Sequence, residues 1–220
     1  MHSHNDYSKP IPFWTAYNAG AASIEIDVIA HENQIFVAHD FKDIKKEMNI
    51  ENLYVLPFLD AIALYPRKEK VAFLIDFKTD FDTTFKVLDS ILKKYPDFKN
   101  KATLVISGKR PKTSNFDTYP DYILFDYQEF SEKITLEELK KVGMFSYNFK
   151  KISSWKGKGE LDKTSETNLK EYIKLAHDNS QPIRFWATPD TEKAWEVLSK
   201  LGVDYINTDH TRALAAYLKK

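Results

Sequence analysis

The chain has 220 residues, 43% of them hydrophobic, which is enough to bury a sizeable core and a comfortable length for a single domain spanning 1–220. Lys+Arg 32 against Asp+Glu 32 leaves a formal net charge of zero, so no global field recruits nucleic acid or an anionic membrane, and anion binding has to be local. Cysteine is absent, which excludes disulfides and thiolate metal ligation, and no apolar run nears the ~20 residues that span a bilayer. The expectation is a soluble protein, either cytoplasmic or exported with its leader absent from this chain; oligomeric state stays open.

Met1 stands almost directly before a His-rich segment, where a first strand should already be running. A helix is expected over Pro12 to Ala19, followed by strands over Ser23 to Ile29 and Gln34 to Ala38 and a helix over Val55 to Tyr65. Strand Lys70 to Phe77, helix Asp82 to Lys94, and strands Ala102 to Ser107 and Tyr122 to Asp126 come next. The remaining expected elements are helix Leu136 to Val142, strand Met144 to Phe149, helix Ser165 to His177, strand Pro182 to Ala187, helix Thr191 to Leu201 and strand Val203 to Asn207. Asp190-Thr191 supplies an N-cap for the last helix and Gly202 a stop. Ser153 to Ser165, with Trp155 and two glycines, reads as a long loop.

Strands that alternate with helices in this length imply an α/β fold of compact (β/α)8 TIM-barrel type. A doubly wound sheet fits less well, because no glycine-rich nucleotide turn follows the first strand. In such barrels the active site forms at the C-terminal strand ends, and the polar residues fall there: Asp27, His39-Asp40, Asp76 with Lys78, Arg184 with Trp186, and Asp209.

Glu25 and Asp27 are two apart on one strand and share a face, while Ile24, Ile26 and Val28 occupy the other. If the isoleucines pack against the helices, the acids point into the barrel, where two carboxylates need a cation; the plain alternative is an outward, solvated pair. Hard oxygen ligands suit Mg²⁺ or Ca²⁺. Asp76 ends the apolar run Val71 to Ile75, and Lys78 follows two residues later on the same side, an arrangement suited to a metal-bound phosphate or to an ordinary surface ion pair. His39 is a candidate acid/base partner for a second histidine at another strand end. Of His2 and His4, only His4 is followed by Asn5, whose amide oxygen can join a metal site. His2 is either a supporting neighbour or exposed chain terminus; His31 in a turn and His177 at a helix end read as structural.

The pattern resembles the phospholipase-C-like phosphodiesterases with a TIM barrel, the superfamily that includes phosphatidylinositol-specific phospholipases C and glycerophosphodiester phosphodiesterases. It is most similar to bacterial HNDY-type members, through His4-Asn5-Asp6-Tyr7, Ile24-Glu25-Ile26-Asp27-Val28, Val37-Ala38-His39-Asp40, Leu74-Ile75-Asp76-Phe77-Lys78, the Ile183 to Asp190 segment and the Gly202 to Asp209 segment. The resemblance implies His4 and His39 as the acid/base pair, with Lys78 beside them in catalysis. Asn5, Glu25, Asp27 and Asp76 would hold one divalent cation, Ca²⁺ or Mg²⁺, and Asp40, Arg184 and Trp186 would contact substrate. The implied substrate is a small phosphodiester or lipid headgroup rather than nucleic acid. The chain departs from glycerophosphodiesterases in having His-Asn where they have His-Arg, and Asp76 where the superfamily commonly has Glu, which leaves metal identity open.

Rival readings are a metal-dependent amidohydrolase, suggested by His2-Ser3-His4, and a noncatalytic phosphate- or carbohydrate-binding barrel with Trp155 and Trp186 as stacking surfaces. The amidohydrolase needs further histidines on the fifth and sixth strands, and Tyr122 to Asp126 and Met144 to Asn148 have none.

Overall fold

The computed structural model describes residues 1–130 and 134–219; Lys220, the last residue of the expected 1–220 domain, lies outside the described residues. The strands are β1 (His2–Ser3), β2 (Ser23–His31), β3 (Gln34–Val37), β4 (Ala72–Phe77), β5 (Thr103–Gly108), β6 (Ile123–Tyr127), β7 (Val142–Asn148), β8 (Ile183–Trp186) and β9 (Asn207–Thr208). The helices are α1 (Trp14–Asn18), α2 (Leu56–Leu64), α3 (Phe81–Lys94), α4 (Pro96–Lys101), α5 (Leu136–Leu139), α6 (Lys163–Asp178), α7 (Glu192–Leu201) and α8 (Thr211–Tyr217). Eight strands run parallel in the order β8-β7-β6-β5-β4-β2-β1-β9. A single parallel bridge, Arg184 to Tyr205, joins β8 to the segment leading into β9, so the sheet forms a nearly closed barrel.

One expected barrel strand has another role. Gln34 to Ala38 does not form a stave: β3 pairs antiparallel with β2, from Val28 opposite Val37 to His31 opposite Gln34. Glu32 and Asn33, both with positive φ (48° and 58°), make the two-residue turn. A parallel neighbour needs a crossover of about a dozen residues, and the two available here only fold the chain back on itself. The missing stave is β1, held between β2 and β9 with His2 in register with Ser23 and Asn207. The last strand also sits later than expected, at Asn207–Thr208, and the short helices α4 and α8 extend the expected set.

Period-two alternation sorts the side chains of β2 and β4. Ile24, Ile26, Val28, Phe73, Ile75 and Phe77 face the helical layer and are essentially unexposed. Phe73 meets Phe58 and Phe98 there, with ring centroids 5.4 and 5.1 Å away. Each such buried side chain contributes roughly 1.5–3 kcal/mol. The barrel interior is narrower, and Leu74, Val105 and Met144 plug it with Leu124 and Tyr205 packed alongside. Gly143 makes room for this plug, since a Cβ there would lie 2.6 Å from Val105 Cγ2. Thr191 caps α7 by accepting from Ala194 N–H, and Gly202 ends it at φ 95°, as the sequence signals require. No helix among the described residues is long and apolar enough to cross a membrane.

Candidate active site at the barrel mouth

Each residue of His4-Asn5-Asp6-Tyr7 has a different task. The chain leaves β1 through Asn5, whose left-handed conformation (φ 42°, ψ 51°) is one that Asn tolerates better than most residues. Asp6 is fully buried and locks the following loop: its carboxylate accepts from Ser3 Oγ (2.7 Å), the Phe13 backbone N–H (2.6 Å) and Tyr54 O–H (3.1 Å). Phe13 needs that lock. It occupies the centre of a strained γ-turn (φ 60°, ψ −62°) closed by Trp14 N–H on Pro12 O. Tyr7 reaches inward and donates to Asp27 Oδ2 at 2.8 Å. Asp6 and Tyr7 were visible in the motif, but nothing local to the sequence says which atoms they grip.

The expected inward orientation of Glu25 and Asp27 is found. Asp27 and Asp76 are register partners on β2 and β4, and ligand oxygens of Glu25, Asp27 and Asp76 lie within 4.8 Å of one another. Lys78 Nζ stands 3.2 Å from both Asp27 Oδ2 and Asp76 Oδ2. Burial raises the pKa of Asp27 despite Lys78, and pushes Asp76 up to about 6; Lys78 in turn is raised, because the two carboxylates outweigh its own burial. Gly108 on β5 leaves space for this arrangement, since a Cβ there would fall on Asp76 Oδ1. Asp27 Oδ1 is buried with no hydrogen-bond partner. Three converging hard oxygen donors, one with an unused buried lone pair, fit a divalent cation of the Mg²⁺ or Ca²⁺ kind.

Glu25 is held from the opposite side. Arg184 Nη1 donates to Glu25 Oε2 at 2.8 Å, Arg184 Nε to Ser146 Oγ at 2.9 Å, and His2 Nε2 lies 2.8 Å from the same Glu25 oxygen. Burial alone would raise the Glu25 pKa, but the adjacent guanidinium overrides it and holds the carboxylate well below its ordinary range. His2 is wholly buried, with Nδ1 2.8 Å from Ser23 Oγ, so the exposed-terminus reading is corrected in favour of the supporting neighbour. Burial, followed by Arg184, depresses its pKa to about 4 and keeps the imidazole neutral near pH 7. Sequence alone could not find this triad, since its members come from positions 2, 25 and 184.

The two histidines expected to share acid/base work sit in unlike settings. His4 Nδ1 is 2.8 Å from Asp209 Oδ1, and Lys9 Nζ donates to the His4 carbonyl at 2.7 Å. Burial would lower the His4 pKa, but the Asp209 hydrogen bond more than compensates and raises it. Asp209 is fixed through its own backbone N–H, which donates to Asp190 Oδ2 at 2.8 Å. His39 is far more open, with a side chain 61% exposed and Asp40 Oδ2 3.4 Å from its Nδ1. Among the described residues neither His39 nor the Asn5 side chain is hydrogen-bonded or ion-paired to the three carboxylates. Trp186 lies at the rim, about a third exposed.

The far side of the mouth holds a polar network outside the expected site. Asp126 ends β6 as Asp76 ends β4, a repeat of signal that could have drawn attention to it. Its Oδ2 accepts from Ser107 Oγ and Gln128 Nε2, both at 2.8 Å, and Arg110 Nε donates to its carbonyl. The mouth is therefore polar on both sides, with the three converging carboxylates on β2 and β4.

Comparison with known proteins bears on both ends of the chain and on its fold. Residues 1–68 match the model of the AIM6-like phosphodiesterase domain, and residues 182–212 match that of the glycerophosphoryl diester phosphodiesterase family. Among curated proteins, Altered inheritance of mitochondria protein 6 from Eremothecium gossypii is 25% identical over 99% of this chain and 69% of its own length. Its homolog from Arthroderma benhamiae is 24% identical over 99% of this chain and 83% of its own. These relatives are fungal, in contrast to the bacterial members of the expected resemblance. Among solved structures, a glycerophosphodiester phosphodiesterase from Parabacteroides distasonis aligns with TM-score 0.61 at 16% identity, covering 100% of this chain and 97% of that one. A second, from Agrobacterium tumefaciens, aligns with TM-score 0.59 at 11% identity over 100% and 97%. The whole-chain structural likeness shows the barrel fold, and the two family models match its two ends.

Proposed function

We propose that this chain, as one domain over 1–220, is a divalent-metal-dependent phosphoric diester hydrolase of the HNDY type, acting on a glycerophosphodiester or phosphoinositide-like substrate. The observation that carries the reading is the convergence of Glu25, Asp27 and Asp76 at a barrel mouth, with Asp27 Oδ1 unpartnered. Glu25, Asp27 and Asp76, joined by Asn5, would hold Ca²⁺ or Mg²⁺. The bound ion would supply positive charge to the nonbridging oxygens of the phosphate, where negative charge grows during attack.

The protein's own groups divide the remaining work. Lys78, poised between two carboxylates, adds a second positive charge at the phosphate. His4, oriented through Nδ1 by Asp209, presents its Nε2 for proton transfer to or from a substrate oxygen. His39 serves as the complementary acid or base, and its exposure suits exchange of protons with solvent. Arg184 braces Glu25 and keeps a positive field on the substrate side, while Asp40 and Trp186 contact the substrate from the rim. A substrate with a hydroxyl next to the phosphate can be attacked by that hydroxyl to give a cyclic phosphate, and otherwise water is the nucleophile.

The test is turnover of bis-p-nitrophenyl phosphate, glycerophosphodiesters and phosphoinositides with Ca²⁺, Mg²⁺ or EDTA. EDTA should abolish activity, and His4→Ala and His39→Ala should each lower kcat by about 10²–10⁴-fold. Metal-independent turnover that is unchanged in both variants would overturn the reading.

A further inference from the structure

The two oxygens of Asp27 are treated unequally. Oδ2 is doubly engaged, by the Tyr7 hydroxyl that donates to it at 2.8 Å and by Lys78 Nζ at 3.2 Å, while Oδ1 is buried with no hydrogen-bond partner. A carboxylate oxygen has two lone pairs, so Oδ2 is filled and Oδ1 is the one oxygen left for a ligand. Tyr7 can hold this division because its own backbone is anchored. The neighbouring Asp6 is fully buried and ties the segment to Ser3, to the Phe13 backbone and to Tyr54.

The other two carboxylates are restricted as well. Glu25 Oε2 is met by Arg184 Nη1 and by His2 Nε2, each at 2.8 Å. Asp76 Oδ2 stands 3.2 Å from Lys78 Nζ, and Asp76 Oδ1 packs against Gly108, 2.0 Å from the place a Cβ would take. Each of the three thus has one oxygen already engaged by the protein. Such a set matters to the choice of ion. Ca²⁺ gathers about six to eight oxygens in a flexible shell and readily takes a carboxylate through both of its oxygens. Mg²⁺ demands a near-octahedral set and takes single oxygens from few carboxylates, keeping water or phosphate oxygens for the rest.

We propose that Tyr7 is a positioning residue that makes Asp27 a one-oxygen ligand and thereby selects Mg²⁺ over Ca²⁺. This rests on the metal-dependent diesterase reading and names its ion. To bind Ca²⁺ through both oxygens, Asp27 has to turn Oδ2 away from the Tyr7 hydroxyl and leave that partly buried donor without its acceptor.

The experiment follows Tm of the metal-stripped full chain against Mg²⁺ or Ca²⁺ concentration, in separate titrations, for the wild type and Tyr7→Phe, so that binding is read without turnover. In the wild type Mg²⁺ should raise Tm at a lower concentration than Ca²⁺. Tyr7→Phe should weaken Mg²⁺ by about tenfold and hold Ca²⁺ at least as well as before, which collapses the preference. A general loosening of the fold weakens both ions alike, so an unchanged ratio in the variant overturns the role of Tyr7. A wild type that prefers Ca²⁺ overturns it too, and that comparison needs no variant to fold. Both results leave the diesterase reading standing where EDTA still abolishes turnover. If neither cation raises Tm the selectivity falls, and it takes the metal-dependent reading with it where EDTA also leaves turnover intact.

Discussion

Leu74 and Asp76 lie two residues apart on the same face of β4, yet they belong to opposite worlds. Leu74 is part of the apolar plug that fills the barrel floor with Val105 and Met144. Asp76 belongs to the charged mouth, one step further along the strand. The floor gains stability by removing hydrocarbon from water. The mouth sits on that dry floor, and the same dehydration strains it by keeping carboxylates close together with few waters to separate them. Function at this site is thus bound to local instability, and the two ends of one strand should respond oppositely to substitution.

The largest expected effect comes from the brace that makes the mouth tolerable. Arg184→Ala leaves Glu25 buried without its cation and should destabilise the fold by about 3–5 kcal/mol. Leu74→Ala on the floor should cost about 2–5 kcal/mol through the cavity it leaves. Chemical denaturation of both variants compares the two regions directly. If Arg184→Ala melts like the wild type, the mouth is far wetter than its burial implies.

Asp76→Asn should move stability the other way. A carboxyl whose folded pKa, here about 6, exceeds its ordinary 3.8 binds its proton more tightly in the folded state. The metal-free protein should accordingly gain stability as pH falls from neutral through 6 towards 4, and lose it again as pH rises. Asp76→Asn removes this dependence and should stabilise the metal-free protein at pH 7.5 by about 1–3 kcal/mol while abolishing activity. Thermal melts across pH, with EDTA and with added Ca²⁺ or Mg²⁺, read both effects. The wild type should gain a cation-dependent rise in Tm that the variant lacks. A variant less stable than the wild type in EDTA would contradict the strained-mouth account.

How far the sequence reveals this division depends on the range of the interaction. The inward turn of Glu25 and Asp27 was legible because period-two alternation is local, and Ile24, Ile26 and Val28 announce the outer face. Asp76 and Lys78 followed from the same rule. The Gln34 to Ala38 segment misled because four apolar strand residues look alike in a stave and in a hairpin; the deciding signal was the two-residue Glu32-Asn33 turn, too short for a parallel crossover. His2 was ambiguous for a different reason. Its burial is set by Ser23, Glu25 and Arg184, and no local pattern reports a partner 182 residues away. Asp209 was visible as a strand-end acid, but its bond to His4 spans 205 residues and appears only once the barrel closes.

The smallest expected effect is also the most local. Asp209→Asn removes the interaction that raises His4, so burial prevails and the His4 pKa should fall below its ordinary value. Global stability should change little, because the pair is partly exposed and screened. Histidine titration by NMR measures the shift, and the acid limb of the pH–rate profile should move in the same direction. An unmoved His4 would mean that Asp209 orients the ring without tuning it.

The barrel closes through its shortest strands. β2 and β4 share six register pairs, whereas β1 makes two with each neighbour and β8 reaches the β9 segment by one bridge. A sheet zipped so unevenly has a seam, and cooperative opening starts where the fewest hydrogen bonds must break. His4 and Asp209 are both built on that seam, so their side of the mouth is the part of the barrel best able to part and re-form, while the carboxylates on β2 and β4 stay fixed.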